Sequence, residues 1–282
     1  ILDPLTQPLP FTPFKDFTGR SINEINLYST EMSSALCSID RVSASANMNN
    51  RLSEAIVEAY KSTNGAPISF ELMLKCYQSR MKDANNDDSI SSVLKQLVNA
   101  HIFESEDKVS LIDDSYIIKM DGYPKDGPIA KAIVYFLMSK LNNIYELLDK
   151  QAVNDEVVQI RHFSIIDEAH YMLDFDNRPL RNLIAVGRNK GLSIILATQN
   201  MSSFKSKGFD FYANAQYPLI MKQQTIDDKV IKDLFGVSGQ ELQEIRTAIA
   251  GLQKGELIIK DQMAFALGMG NKYKKINVTH LI

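Results

Sequence analysis

Two hydrophobic rhythms divide this chain. Between residues 21 and 104 apolar side chains recur every three or four positions, which predicts amphipathic helices. The stretch "INEINLYSTEMSSALCSI" places Ile25, Leu27, Met32, Ala35 and Leu36 at helical spacings, and "NNRLSEAIVEAY" puts Leu52, Ile56 and Ala59 on one face behind a cap at Asn49 or Asn50. "SFELMLKCYQSRM" reads as a third helix, with Ser69 as N-cap and Glu71 in the first turn. "DDSISSVLKQLVNAHI" reads as a fourth, with Ile90, Val93, Leu94 and Leu97 on one side, and the polar run "MKDANNDDS" is the loop before it. Nothing in this block suggests chemistry; it predicts a small helical subdomain.

From residue 107 the rhythm shortens to apolar runs that alternate with helical segments. "KVSLIDD" and "SYIIKMDG" are strand candidates, followed by a long helix over "GPIAKAIVYFLMSKLNNIYELLDK", apolar around most of its circumference at first and so expected between a sheet and other helices. "IRHFSIID" reads as a strand in which Phe163, Ser164, Ile165 and Ile166 are buried; "RPLRNLIAVGRNKG" is a helix stopped at Gly191; and "LSIILATQ" is another strand. "AQYPLIMKQ" is a weaker strand, where Pro218 argues for an edge or a strand start. Short helices follow at about 226–234 and 239–249, then strands in "GELIIKD", "QMAFALG" and "KKINVTHLI". Apolar strands alternating with helices predict an α/β fold, a largely parallel sheet with helices on both faces. In such sheets ligands bind at the carboxyl ends of the strands, where Asp167, Glu168 and Gln199 fall.

Composition narrows the class. With 282 residues, 45% of them hydrophobic and 23% charged, the chain can bury a large core and is not of disordered type. The net charge of −3 excludes a strongly basic coat but not a local basic loop. Two cysteines, Cys37 and Cys76, stand apart from any CxxC or histidine, which argues against a disulfide framework or a zinc site and fits a reducing, cytoplasmic setting. No apolar run reaches the ~18 residues that a membrane span needs, and no signal peptide is visible, so no membrane partner is expected. The opening "ILDPLTQPLPFTPF" reads as the end of a strand running into a Pro-rich connection, which predicts a piece of something longer.

The candidate chemistry lies in "FSIIDEAH". An apolar strand that delivers two carboxylates to its edge can use Asp167 to hold Mg²⁺ through its water shell and Glu168 to deprotonate an attacking water. Alone this string is also an ordinary strand-to-turn boundary. The next strand sharpens it: Thr198 and Gln199 end that strand 31 positions beyond Glu168, where an amide can touch the water or a γ-phosphate. Arg188, near the end of the intervening helix, either complements the helix dipole or reaches into a neighbouring subunit as an arginine finger. Arg178 and Arg181 are weaker candidates for that role, more simply read as solvated. His162 and His170 flank the acids, but HExxH spacing is absent, which disfavours a metal hydrolase. "NMSSFKSKGFDF" offers Lys205 and Lys207 among serines and phenylalanines for sequence-independent DNA contact, or is simply a solvated loop, and "NKYKK" reads as surface.

"FSIIDEAHYML" followed by "GRNKGLSIILATQNMSSF" resembles the HerA/FtsK class of ring-forming, RecA-like DNA motor ATPases. "LDPLTQPLPFTPF", "NNRLSEAIVEAY", "VSLIDDSYIIKMDGYPKDGPIAKAIVYFLMSKL" and "LQKGELIIKD" are similar to further segments of that class, so the resemblance covers most of the chain. HerA-like ATPases of phosphorothioation-dependent bacterial restriction systems and the conjugation coupling ATPases are its related forms. The resemblance implies a RecA-like P-loop NTPase core at 1–20 and 106–282, with a helical subdomain inserted at 21–105. It implies ATP and Mg²⁺ as cofactors, with Asp167 on Mg²⁺, Glu168 activating water, Thr198 binding the nucleotide, Gln199 sensing it and Arg188 acting in trans. DNA, further copies of the chain in a hexameric ring, and a nuclease are the implied partners. One departure is large: GxxxxGK[ST], whose amides and lysine cradle phosphates, occurs nowhere in the sequence, and "GMGNKYKK" has the wrong spacing. The expectation is therefore a Walker A segment upstream of Ile1, and no activity in this stretch alone. The alternative reading is a catalytically silent scaffold that oligomerises or binds a nuclease.

Overall fold

The structure is a computed structural model that describes residues 1–39, 44–82, 86–154, 157–199, 201–206, 209–215, 217–261 and 272–278. The chain forms two compact units, Ile1–Ser164 with Asp174–Ile195, and Ile165–Leu173 with Leu196–Ile282.

The first unit is mostly helical. Helices α1 (Ile22–Ile39), α2 (Ala46–Ser62), α3 (Phe70–Gln78) and α4 (Ser89–Ala100) pack in sequence, each against the next. Their starts are chemically marked. Ser69 Oγ accepts from Leu72 N at 3.2 Å, as its position before α3 predicts. α2 begins earlier than the Asn49/Asn50 expectation: Ser45 is its N-cap, accepting from Met48 N at 3.3 Å, and nothing in Ala46–Met48 opposes helix. Asp88 caps α4 in a reciprocal box with Ser91, and its Oδ2 also accepts from Tyr77 Oη at 2.7 Å and Arg51 Nη1 at 3.1 Å. One carboxylate thus joins α2, α3 and α4.

Helix α5 (Pro128–Leu147) begins with proline at its first turn and is buried continuously from Ala130 to Ser139, as its all-round apolar pattern predicts. Phe14, Phe70, Phe103 and Phe136 meet edge-to-face or tilted beside it, with ring centroids 4.9 to 6.3 Å apart. The expected strands over 108–114 and 115–122 do not form. The first is turn, and the second contributes only Ile118, in a parallel bridge to Leu2; a second parallel bridge joins Leu9 to Phe103. Asp113, Asp114, Asp121 and Gly122 favour turns over ladder pairing.

Short strands β1 (Val153–Asn154) and β2 (Val157–Val158) pair antiparallel ahead of β3 (His162–Ile166). Helix α6 (Arg178–Val186), capped by Asn177 Oδ1 on Leu180 N at 3.1 Å, runs into a 3₁₀ turn, Gly187–Lys190. Gly191 stops it with φ 82°, so the predicted glycine stop is present. Strand β4 (Leu192–Leu196) then lies beside β3. The pair is parallel: His162 N donates to Gly191 O at 3.2 Å at one end, and Ala197 N to Ile166 O at 2.9 Å at the other. β3 is less buried than its apolar run suggested. Ile166 is buried, but Phe163 is 54% and Ile165 67% exposed, because among the described residues β3 is covered on one face only.

The second unit opens with the end of β3 and a 3₁₀ turn, Ala169–Met172. Beyond β4 come a 3₁₀ turn (Met201–Phe204), the antiparallel pair β5 (Lys205–Ser206) and β6 (Phe209–Asp210), and the short α7 (Phe211–Asn214). Strands β7 (Leu219–Met221), β8 (Glu256–Lys260) and β9 (Tyr273–Asn277) form an antiparallel sheet with β8 central, so among the described residues the strand after Pro218 is an edge. Ile220 and Ile258 are direct partners on one face of that sheet. Both join a core of Val230, Ile231 and Phe235 from α8 (Asp228–Phe235) with Ile245 and Ile249 from α9 (Gly239–Ala250). The strand expected over "QMAFALG" lies outside the described residues. No helix among the described residues is long and apolar enough to cross a membrane.

Candidate active site

The two carboxylates predicted from "IIDEAH" leave β3 on a tightly fixed turn. Asp167 is exposed, and its Oδ1 accepts from Glu168 N at 2.9 Å. Glu168 adopts a left-handed conformation, φ 50° and ψ 40°, which costs a non-glycine residue about 1 kcal/mol. Two backbone bonds over-determine it. Tyr171 N donates to Glu168 O at 3.1 Å, and Ala169 N donates to Ala197 O at 2.8 Å, tying the turn to the end of β4.

That tie brings the tips of the two strands together. Gln199 Nε2 donates to Glu168 Oε1 at 2.6 Å. Thr198 Oγ1 lies 3.1 Å from His170 Nδ1, and the same nitrogen lies 3.4 Å from Glu168 Oε2. Glu168 and His170 are each about three-quarters buried, with side-chain exposures of 23% and 24%. Four side chains thus form one polar cluster inside the second unit, with Asp167 immediately beside it in the chain. His170 is the member that the sequence raised only beside a metal-hydrolase reading or as part of the DEAH string, near the nucleotide or a neighbouring loop. Its signal was its offset of two from Glu168 inside a 3₁₀ turn, which periodicity alone does not reveal.

The remaining candidates fall elsewhere. Arg188 belongs to the first unit, exposed in the 3₁₀ turn between α6 and β4. Arg178 and Arg181 are not simply solvated: Arg178 Nη1 pairs with Glu31 Oε1 at 2.9 Å, and Arg181 pairs with Asp176. Lys205 lies in β5, and Lys207 is outside the described residues.

The segment that follows the cluster is pinned within the first unit. Asp174 Oδ2 accepts from Lys131 Nζ at 2.9 Å, and the lysine side chain is 3% exposed. Asp176 N donates to Ser38 Oγ at 2.9 Å, and Ser34 Oγ donates to Asp176 Oδ2 at 3.2 Å. Burial lowers the His162 pKa below its ordinary 6.5, and His162 Nδ1 is buried without a hydrogen-bond partner among the described residues.

No family model matches the sequence, and no curated protein matches it. Solved structures do. VirB4 of Thermoanaerobacter pseudethanolicus superposes with a TM-score of 0.63 at 17% identity, over 99% of this chain and 73% of that one. The fold of this chain is similar to that of VirB4. The bacterial conjugative coupling protein TrwBΔN70, in complex with sulphate, superposes at 0.57 with 13% identity, over 99% of this chain and 73% of its own. Plasmid coupling protein TrwB in complex with the ATP analogue ADPNP superposes at 0.56 with 13% identity, over 98% and 73% respectively. The fold is therefore α/β and RecA-like, as the alternation of apolar strands and helices implied.

The residues can be tested against ATP and Mg²⁺, the groups expected from the sequence. Asp167 is an exposed hard-oxygen donor at a strand's carboxyl end, which suits Mg²⁺ held through water. A phosphate cradle of GxxxxGK[ST] type is not among these 282 residues, so the residues present suit the metal but not the phosphates of a nucleotide.

Proposed function

We propose that this chain carries the hydrolytic half of a subunit of an ATP-driven, ring-forming DNA translocase. The observation that carries the reading is the 2.6 Å contact between Gln199 Nε2 and Glu168 Oε1. A carboxylate and an amide at the tips of adjacent parallel strands are the two groups that orient an attacking water and register a γ-phosphate. In this reading Asp167 holds Mg²⁺ through water, Glu168 takes the proton from water, and Thr198 and Gln199 face the phosphate. Arg188 acts on a neighbouring subunit's nucleotide; its exposure and its freedom from ion pairs among the described residues support that role, whereas Arg178 and Arg181 are engaged. Lys205 and Lys207 serve DNA. The helical stretch 21–105 is an insertion into the core formed by 1–20 and 106–282. Similarity to VirB4 and to a plasmid coupling protein supports the conjugation-type version of the motor; the version that serves restriction with a nuclease partner rests on the motif string alone.

Because no P-loop motif occurs in the sequence, the proposal places the phosphate cradle on a segment outside these 282 residues. The test is ATP binding and hydrolysis by this chain alone and by the protein that joins it to a P-loop segment. The joined protein is expected to hydrolyse ATP, this chain alone is not, and turnover by this chain alone would sink the division of labour. Glu168→Gln in the joined protein should retain ATP binding and lose roughly 10²- to 10⁴-fold in rate, the usual contribution of a general base. Retained turnover would remove Glu168 from the role. A joined protein that neither binds nor hydrolyses ATP supports the silent scaffold instead.

A further inference from the structure

We propose that His170 and Gln199 form a latch that parks the Glu168 carboxylate, which makes His170 a positioning residue for water activation. The inference rests on the hydrolytic reading above. Its starting point is how little of Glu168 can move. The Glu168 N–H is spent on Asp167 Oδ1, its carbonyl accepts from Tyr171 N, and the next N–H reaches across to Ala197 O. The backbone is held at three points, so the carboxylate changes position only through its side-chain torsions.

One oxygen of that carboxylate is gripped and the other faces His170. Oε1 accepts from Gln199 Nε2 at 2.6 Å, and Oε2 lies 3.4 Å from His170 Nδ1. His170 is itself steadied by Thr198 Oγ1 at 3.1 Å. Thr198 and Gln199 are consecutive, so the exit of β4 holds Glu168 directly through one residue and indirectly through the other. A general base must offer a lone pair to water. In this arrangement the Oε1 side is committed to an amide, and the Oε2 side faces an imidazole. A γ-phosphate carries more charge than a carboxylate and competes for the same amide donor. Nucleotide engagement of Gln199 therefore releases Glu168, which couples freeing of the base to the presence of its substrate. His170 opposes that release and sets its threshold.

The experiment measures kcat and KM for ATP in the protein that joins this chain to a P-loop segment. His170→Ala is expected to raise kcat by roughly twofold to threefold, the low end of a hydrogen bond's weight because the 3.4 Å contact is long, with KM not raised. His170→Asn, whose amide reaches the Nδ1 position, should restore the wild-type rate; His170→Gln, whose amide reaches the Nε2 position instead, should behave like alanine. Glu168→Gln added to His170→Ala should abolish the gain. A fall in kcat, or a rise in KM, with a folded His170→Ala protein overturns the latch, as does equal rescue by Asn and Gln. If the alanine protein does not fold, the Asn and Gln proteins decide by the same comparison. A wild-type protein without ATP hydrolysis is a different failure: it overturns the hydrolytic reading itself and shows before any His170 substitution is made.

Discussion

Removing Asp174 should cost more than removing the lysine it pairs with, and the reason is in their unequal burial. Lys131 extends from α5 with a side chain only 3% exposed, whereas the Asp174 side chain is 51% exposed; Nζ and Oδ2 are 2.9 Å apart. Asp174→Ala strands an ammonium in an apolar helix face, with the ring of Phe175 6.0 Å away as a weak remaining partner. Breaking a buried pair in that way costs about 3 kcal/mol, the low end of its usual range because water reaches the carboxylate side. Lys131→Met is different. It removes the buried charge, keeps most of the side-chain volume and leaves a carboxylate that water can solvate, so its cost is below about 1.5 kcal/mol. The double substitution should then resemble Lys131→Met alone, since no stranded charge remains. Urea unfolding followed by far-UV circular dichroism, analysed as a double-mutant cycle, measures all three. Equal costs for the two single substitutions, or simple additivity in the double, would show that the ammonium is not stranded and that the argument from burial fails.

Two further outcomes follow from the same structure. His162 has a folded-state pKa depressed by burial, so its contribution to stability is full above about pH 6.5 and is lost as pH falls through the lower folded value; urea midpoints should drop from pH 7.5 to pH 5, and His162→Asn should flatten that slope. An unchanged slope in the variant would assign the pH dependence to other groups. Gly191→Ala forces a side chain into φ 82° with its Cβ 2.8 Å from Gln159 O, and should destabilise the first unit by about 1–3 kcal/mol; a neutral result in the same urea assay would show that the turn relaxes freely.

Chemical markers that act within a few residues were legible in the chain itself. Ser69 before α3, Gly191 closing the turn after α6 and Pro218 before a strand that is an edge among the described residues all act locally, and the structure has each in its expected role. The same holds for the α/β alternation and for the motif pair "IIDEAH" and "ATQ", because the 31 positions from Glu168 to Gln199 are enough for one helix and a return strand. Features that depend on a distant partner were not legible. The apolar segments at 108–122 stay turn because pairing there is limited to Leu2 and Ile118. Phe163 and Ile165 stay exposed because burial of a strand depends on what is laid over it, not on its own composition. The cluster shows the same division most sharply: the chain itself determined that two carboxylates stand at a strand end and an amide at another. Only the folded contact between Ala169 N and Ala197 O, which draws the two strand ends together, decided that Glu168 meets Gln199 and that His170 reaches both Glu168 and Thr198.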